Sequence, residues 1–370
     1  MSTVSRCTSI FLTLAVTSCA EPASDRSSTG TQSVVMIDRR IDAETSWIPS
    51  VRIGLAEGPA EYLFFRASDG FRTEAGELYV ANSGTGEIRV YSDTGQFLYS
   101  FGQMGEGPGE FRNLRSIEVT DDGSVLALDA QGGRISIFDE AGGYRRSFSV
   151  ALEDAHQQPG RMWVGPASEV FVTVTSGLDP RQMSVARDSL RVLRVDTERP
   201  DPEVLFSVGD MWWESSAGAT GYRMQAAMAG PAAAITSRGG TFATSSNDRP
   251  AIEIRDARGG LLATWADPHH PRGEPSGDGE VESLEEANQR GRFYAQLRWS
   301  ASGDYLWIGD AGLPNDATRI WTIVDRDGRP VGRTSLPMAA NLWKVGRDFL
   351  LLKTVDDFGV ERVEVWRPDP

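Results

Sequence analysis

The chain of 370 residues is short of cysteine, histidine, basic charge and long apolar runs, and each shortage removes a class of protein. Its two cysteines, Cys7 and Cys19, fall in the first twenty residues, so no disulfide framework can staple the body. Three histidines, His156, His269 and His270, lack a His-x-x-x-His spacing, a Glu-His pairing on one element or a cysteine set. No metal site is therefore written in the sequence, and His269-His270 in its proline-rich surroundings reads as a solvated loop. No G-x-S-x-G stretch occurs, and the histidines lie in irregular segments, so no catalytic set is legible. The longest early apolar run, residues 10–16, is far too short to span a bilayer. A net charge of −15 disfavours binding to nucleic acid, which relies on neutralising phosphates. No cofactor motif is present: GEGPGEF at 105–111 is glycine-rich but lacks the Lys-Ser/Thr of a phosphate loop, and reads as a linker between strands.

What is present starts with a targeting segment. Arg6 precedes the apolar run, and small residues follow it. Val16-Thr17-Ser18-Cys19 resembles a bacterial lipobox, in which cleavage before the cysteine leaves Cys19 lipid-modified. The alternative is an ordinary secretory signal cleaved near Ala20. The expected organisation is a signal peptide over 1–18, a polar tether over 19–33 that cannot bury enough surface to order itself, and a body over 34–370. An acidic body gains nothing from anionic surfaces, so the membrane is reached through the lipid alone. The expected location is the cell envelope, lipid-anchored and facing the periplasm or the cell surface. Ala20, not aspartate, follows the cysteine, which leans towards the outer membrane.

The body repeats. Residues 76–101 align with 123–148 at a period of 47: Ile88, Val90 and Tyr91 fall on Ile135, Ile137 and Phe138, and Gly95 on Gly142. Each unit holds short runs of alternating apolar residues punctuated by Gly, Asp and Ser, the pattern of strands joined by hairpins. Weaker copies follow at 169–208, 241–265, 305–336 and 349–366, where the chain stops one strand short. Six four-stranded units of this length predict an all-β fold, a six-bladed propeller of antiparallel blades. The missing strand has a candidate near the start. EGPAEY at 57–62 matches EGPGEF at 106–111, which follows an outermost strand, so residues 51–54 should be an outermost strand too. With no blade of their own upstream, they are expected to complete the sixth and close the ring, removing exposed edges.

FGQMGEGPGEF (101–111), followed by a strand and then Gly123-x-x-x-Ala127-x-Asp129, resembles an NHL-type repeat. The whole body is similar to the bacterial six-bladed β-propeller lipoproteins. The resemblance implies the fold but no reaction, because such propellers mostly bind proteins or other ligands and only some are enzymes.

Candidate residues follow from the repeat. Arg66 and Arg115 match under the 49-residue shift and Arg161 opens the corresponding strand of the third unit, so these arginines could hold a carboxylate or phosphate in a central channel, or pair with neighbouring acids. Arg298 and Lys344 lie on inner strands out of that phase. An insertion at 209–231 carries Trp212, Trp213 and Tyr222, either a partner-binding lid or a loop packed onto the propeller. A second insertion, 272–292, contains an acidic stretch at 279–289 that reads as a short solvated helix. Asp325-x-Asp327-Gly328 imitates a calcium loop, but without the distal glutamate it reads as a hairpin turn. The expected function is a ligand- or protein-binding or scaffold module, its partner an unidentified protein or small molecule. The alternative is a lactonase- or lyase-type enzyme with a divalent metal in the channel, for which Asn82, Asp129 and Asp310 could be proposed as ligands, or equally as turn caps.

Overall fold

Six small antiparallel sheets arise where the repeats predict them. The computed structural model describes residues 33–37, 44–181, 184–196, 202–218, 221–228, 230, 232–268, 270, 281–313 and 315–370. The lipobox, Cys19, the tether up to residue 32 and His269 lie outside these residues.

Blade 1 consists of Ala67–Arg72, Leu78–Asn82, Glu87–Tyr91 and Phe97–Phe101, from the axis outwards. Blade 2 consists of Leu114–Val119, Val125–Asp129, Arg134–Phe138 and Tyr144–Ser149. Blades 3 to 6 begin with the inner strands Pro159–Val164, Ala234–Arg238, Tyr294–Trp299 and Asn341–Val345. Each inner strand contacts those of the two neighbouring blades, and the sixth returns to the first, so the ring is closed. Apolar clusters fill the spaces between blades. Phe71, Ala81 and Val90 of blade 1, for example, share one cluster with Leu114, Val125 and Phe138 of blade 2.

Closure occurs as the repeat arithmetic requires. Trp47–Ile53 is the outer strand of blade 6, antiparallel to Glu361–Pro368, with Val51 opposite Val365 and Ile53 opposite Val363. Ile53 is fully buried, and its burial alone contributes about 1.5–3 kcal/mol to joining the two ends of the chain. A further N-terminal strand, Ser33–Met36, adds in parallel to Leu261–Ala266 at the edge of blade 4. Thr45 then donates its N–H to the Arg333 carbonyl of blade 5. The N-terminal arm thus touches the outer edges of blades 4 and 5 before it closes blade 6, a belt that the repeat pattern does not announce.

The turn joining the third and fourth strands has a recurring chemistry. In blades 2, 4, 5 and 6 an aspartate (Asp139, Asp256, Asp325, Asp356) accepts the N–H groups two and four residues on. Asp325-x-Asp327-Gly328 is one of these turns. Gly142 in the blade 2 turn has φ +82°, and a Cβ there would lie 2.6 Å from the Phe101 ring of blade 1. Glycine is required by both conformation and space.

The first insertion is not a loop. It lengthens the outer strands of blade 3 into the hairpin Glu203–Gly218 and Gly221–Ala226. The second holds the helix Leu284–Arg290, shorter than the sequence suggests, started by the N-cap Ser283, whose Oγ accepts the Glu286 N–H, while the Glu286 carboxylate accepts the N–H of Glu282 just before it. Among the described residues no helix is long and apolar enough to cross a membrane.

Candidate functional site

The inner strands run along the axis, and their C-terminal ends, with the turns that follow, surround a cavity of about 1170 Å³. Charged residues of the inner strands meet at its floor. Glu118 comes from blade 2, Arg161 from blade 3, Arg298 from blade 5 and Lys344 from blade 6. Asp69 of blade 1, almost wholly buried, lies against them.

Two ion pairs cross this space, each bridging over an intervening blade. Lys344 Nζ lies 2.5 Å from Glu118 Oε1, and Arg161 Nη1 lies 3.8 Å from Asp69 Oδ1. Asp69 also accepts from the Ser116 hydroxyl at 2.8 Å and the Ile117 N–H at 3.2 Å. Ser116 Oγ in turn accepts the Met162 N–H at 3.3 Å, which links the inner strands of three blades.

Arg298 differs from these. Its side chain is 8% exposed, and it donates Nε to the Leu342 carbonyl at 2.6 Å and Nη1 to the Leu297 carbonyl at 2.7 Å. Among the described residues Nη2 makes no hydrogen bond and no carboxylate lies within ion-pair distance of the guanidinium. Burial, and then the charge of Arg161, lower its pKa, against the pull of Asp69. The floor therefore holds three cations and two carboxylates, an excess of one positive charge in a partly desolvated place. Burial raises the Glu118 pKa, and Lys344 opposes the rise.

The sequence-predicted arginines do not converge. Arg161 lines the cavity. Arg66 stands exposed in the turn before its inner strand, at φ +57°, with its guanidinium 5.7 Å from the Phe65 ring. Arg115 is exposed near the start of its strand, about 10 Å along the chain from Glu118 at the rise of an extended strand. The 49-residue shift aligned the beginnings of inner strands, whereas the cavity lies at their ends. Asp69 and Glu118 were missed. Their signal was a carboxylate within an innermost strand.

The side chains proposed as metal ligands are occupied otherwise. Asn82 Oδ1 accepts the Phe65 N–H at 2.8 Å, and Asp129 accepts those of Arg112, Asn113 and Gln131 at 2.9–3.1 Å. Each ties the end of a second strand to the segment leading into its own blade. Asn247 does the same for blade 4, donating to the Ala232 carbonyl, and also accepts the Phe293 and Tyr294 N–H groups of blade 5. Asp310 lies 3.6 Å from Nε2 of His270. His270 is itself a correction: far from solvated, it is 5% exposed and meets the Phe293 and Tyr294 rings edge-on. Proline-rich flanks suggested exposure, but the ring fills a gap between blades. Among the described residues no three His, Cys, Asp or Glu side chains are placed to hold a metal ion.

In the hairpin of blade 3, Trp212 packs inward in a small cluster with Ala227, Val281 and Ala287, joining hairpin to helix. Trp213 is half-buried and Tyr222 is 52% exposed. The three do not form one exposed aromatic surface. GEGPGEF is the linker expected. Gln103–Met104 pairs with Glu110–Phe111, Glu110 accepts the Gly107 N–H, and Phe111 is fully buried.

Residues 70–157 match the family model of DUF5128, described as a 6-bladed beta-propeller. No curated protein is significantly similar in sequence. Among solved structures, a member of the DUF4221 family from Bacteroides vulgatus superposes with a TM-score of 0.57 at 10% identity, covering 88% of this chain and 99% of its own. A Bacteroides fragilis protein classed as exported gives 0.53 at 12% identity, covering 91% and 99%. A virginiamycin B lyase from Staphylococcus aureus gives 0.46 at 9% identity, covering 87% and 99%. At these identities the shared property is the fold.

Proposed function

We propose that this protein is a lipid-anchored, extracytoplasmic binding module that takes a small oxyanionic ligand, carboxylate or phosphate, in its central cavity. The observation that carries the reading is Arg298. A buried guanidinium with an unused N–H edge and no carboxylate partner is costly to keep unless an anion completes it. Guanidinium geometry suits carboxylate and phosphate oxygens, and a low-dielectric floor strengthens the contact. The layout Arg6, apolar run, Val16-Thr17-Ser18-Cys19 supports the anchor. The aspartate and asparagine latches support binding without a channel metal, because their oxygens are taken up by backbone N–H groups.

The test is a thermal-shift and calorimetric screen of the full-length chain in mild detergent against short monocarboxylates and inorganic phosphate, repeated with Arg298→Met. Binding that requires Arg298 is expected. If no anion gives an Arg298-dependent signal, the reading is wrong. For the anchor, palmitate labelling is expected in cells making the native chain and absent with Cys19→Ala. Label retained in that variant would refute it.

A further inference from the structure

The floor is positive, but the mouth of the same cavity is not. On blades 1 and 2 the turns at the mouth carry Glu74, Glu77, Asp121, Asp122 and Glu140. None of the five forms an ion pair among the described residues. Asp122 is held ionised by hydrogen bonds from Thr120 and Ser124. Between these carboxylates stand Tyr79 and Tyr99, whose hydroxyls lie 3.1 Å apart and both reach the Glu140 carbonyl. Of the cations at the mouth, Arg238 lies on blade 4, across the ring from the acids, and Arg72 closes the inner strand of blade 1 beside Glu74 and Glu77, its guanidinium laid against the Phe349 ring at 5.0 Å, so the acids of blades 1 and 2 outnumber the one cation among them five to one.

This separation has a consequence for what can enter. A polyanion would meet five carboxylates before it met Arg298. A ligand with one anionic end and one cationic end would find attraction at both, its cation near the acids and tyrosine rings of blades 1 and 2, its anion on Arg298 of blade 5. The wall between is apolar as well as polar, with Phe71, Trp163, Trp299 and Trp343.

We propose that the cavity selects a small zwitterion, with a carboxylate at Arg298, an apolar spacer along the aromatic wall and a protonated amine at the acidic mouth over blades 1 and 2. This rests on the anion-binding reading above and names its ligand class. Phosphate and dicarboxylates fit the floor alone and are disfavoured by the mouth.

The experiment is a titration of the full-length chain, at low salt, with four matched series of four to six carbons: ω-amino carboxylates, monocarboxylates, dicarboxylates and alkylamines. The amino carboxylate is expected to bind tightest, about threefold to tenfold over the monocarboxylate for several solvent-exposed attractions acting together. Dicarboxylates are expected to be weakest of the anions, and raising the salt should erase the difference. The double variant Glu77→Gln/Asp121→Asn is expected to bring the amino carboxylate down to the monocarboxylate and leave the monocarboxylate unchanged or improved. Equal binding of amino and plain carboxylates, with both still dependent on Arg298, overturns the zwitterion and leaves anion binding standing. A dicarboxylate or phosphate that binds tightest overturns it in the same way. Absence of any Arg298-dependent binding overturns both.

Discussion

Two sets of buried polar side chains line the ring, one at each end of the blades, and they differ in how fully their hydrogen bonds are used. At the end of the second strands, the side-chain oxygens of Asn82, Asp129 and Asn247 all accept backbone N–H groups, and the Asn82 amide donates to the Thr85 hydroxyl. At the cavity floor, Arg298 keeps an unused edge and the charges do not cancel. A saturated polar group holds a fold together, because removing it strands its partners. An unsaturated one costs stability, and is retained where something outside the chain completes it. The latches therefore read as structure and the floor as a binding site, though both are buried, charged or polar, and near the axis.

The largest effect is expected at a latch. Asp129→Ala should cost about 2–4 kcal/mol in chemical denaturation, since three N–H groups lose one acceptor. Anion affinity of the folded fraction should hold, and a cost under about 1 kcal/mol would break the contrast. Trp212→Ala should cost about 2 kcal/mol by opening a void beneath the helix, with no change in ligand binding. A loss of ligand binding there would extend the site to the insertion.

Arg298→Met sharpens the comparison from the other side. Anion affinity should fall at least about tenfold, or ~1.4 kcal/mol. Stability should move by no more than about 1 kcal/mol, because the carbonyls of Leu342 and Leu297 lose a donor while an unpaired charge leaves the interior. The smallest effect concerns pH. The Glu118 carboxyl holds its proton more tightly in the folded protein than in the unfolded chain. Its contribution to stability is therefore fullest below the ordinary glutamate value of about 4.3 and declines as pH rises through the raised one. Protonating Glu118 frees the charge of Lys344, so anion affinity should rise a few-fold as pH falls towards the ligand's own pKa. Glu118→Gln should flatten both trends, and an unchanged pH profile would remove Glu118 from the account.

Much of the fold was legible because period-two patterning and turn residues are local signals. Gly95 and Gly142 recur, the alternating runs recur, and the count of runs left one blade a strand short. The placement of Val51 beside Val365 followed from that count. The site was less legible. Arg66 and Arg115 matched by repeat phase, but they stand at the wrong ends of their strands to reach the cavity. His270 sat among prolines and turned out to be packed between rings. Trp212, open in the sequence to a lid or a packed loop, lies half-buried against a small cluster that joins hairpin to helix.

By itself the sequence determined a ring of six sheets and the strand that closes it, since strand, turn and repeat are written in neighbouring residues and need no distant partner to be recognised. Only the tertiary structure decided which charges face one another. Asp69 and Arg161, or Glu118 and Lys344, are neighbours through the curvature of the ring alone. The charge of the floor around Arg298 is a sum over five blades, and no stretch of chain contains it.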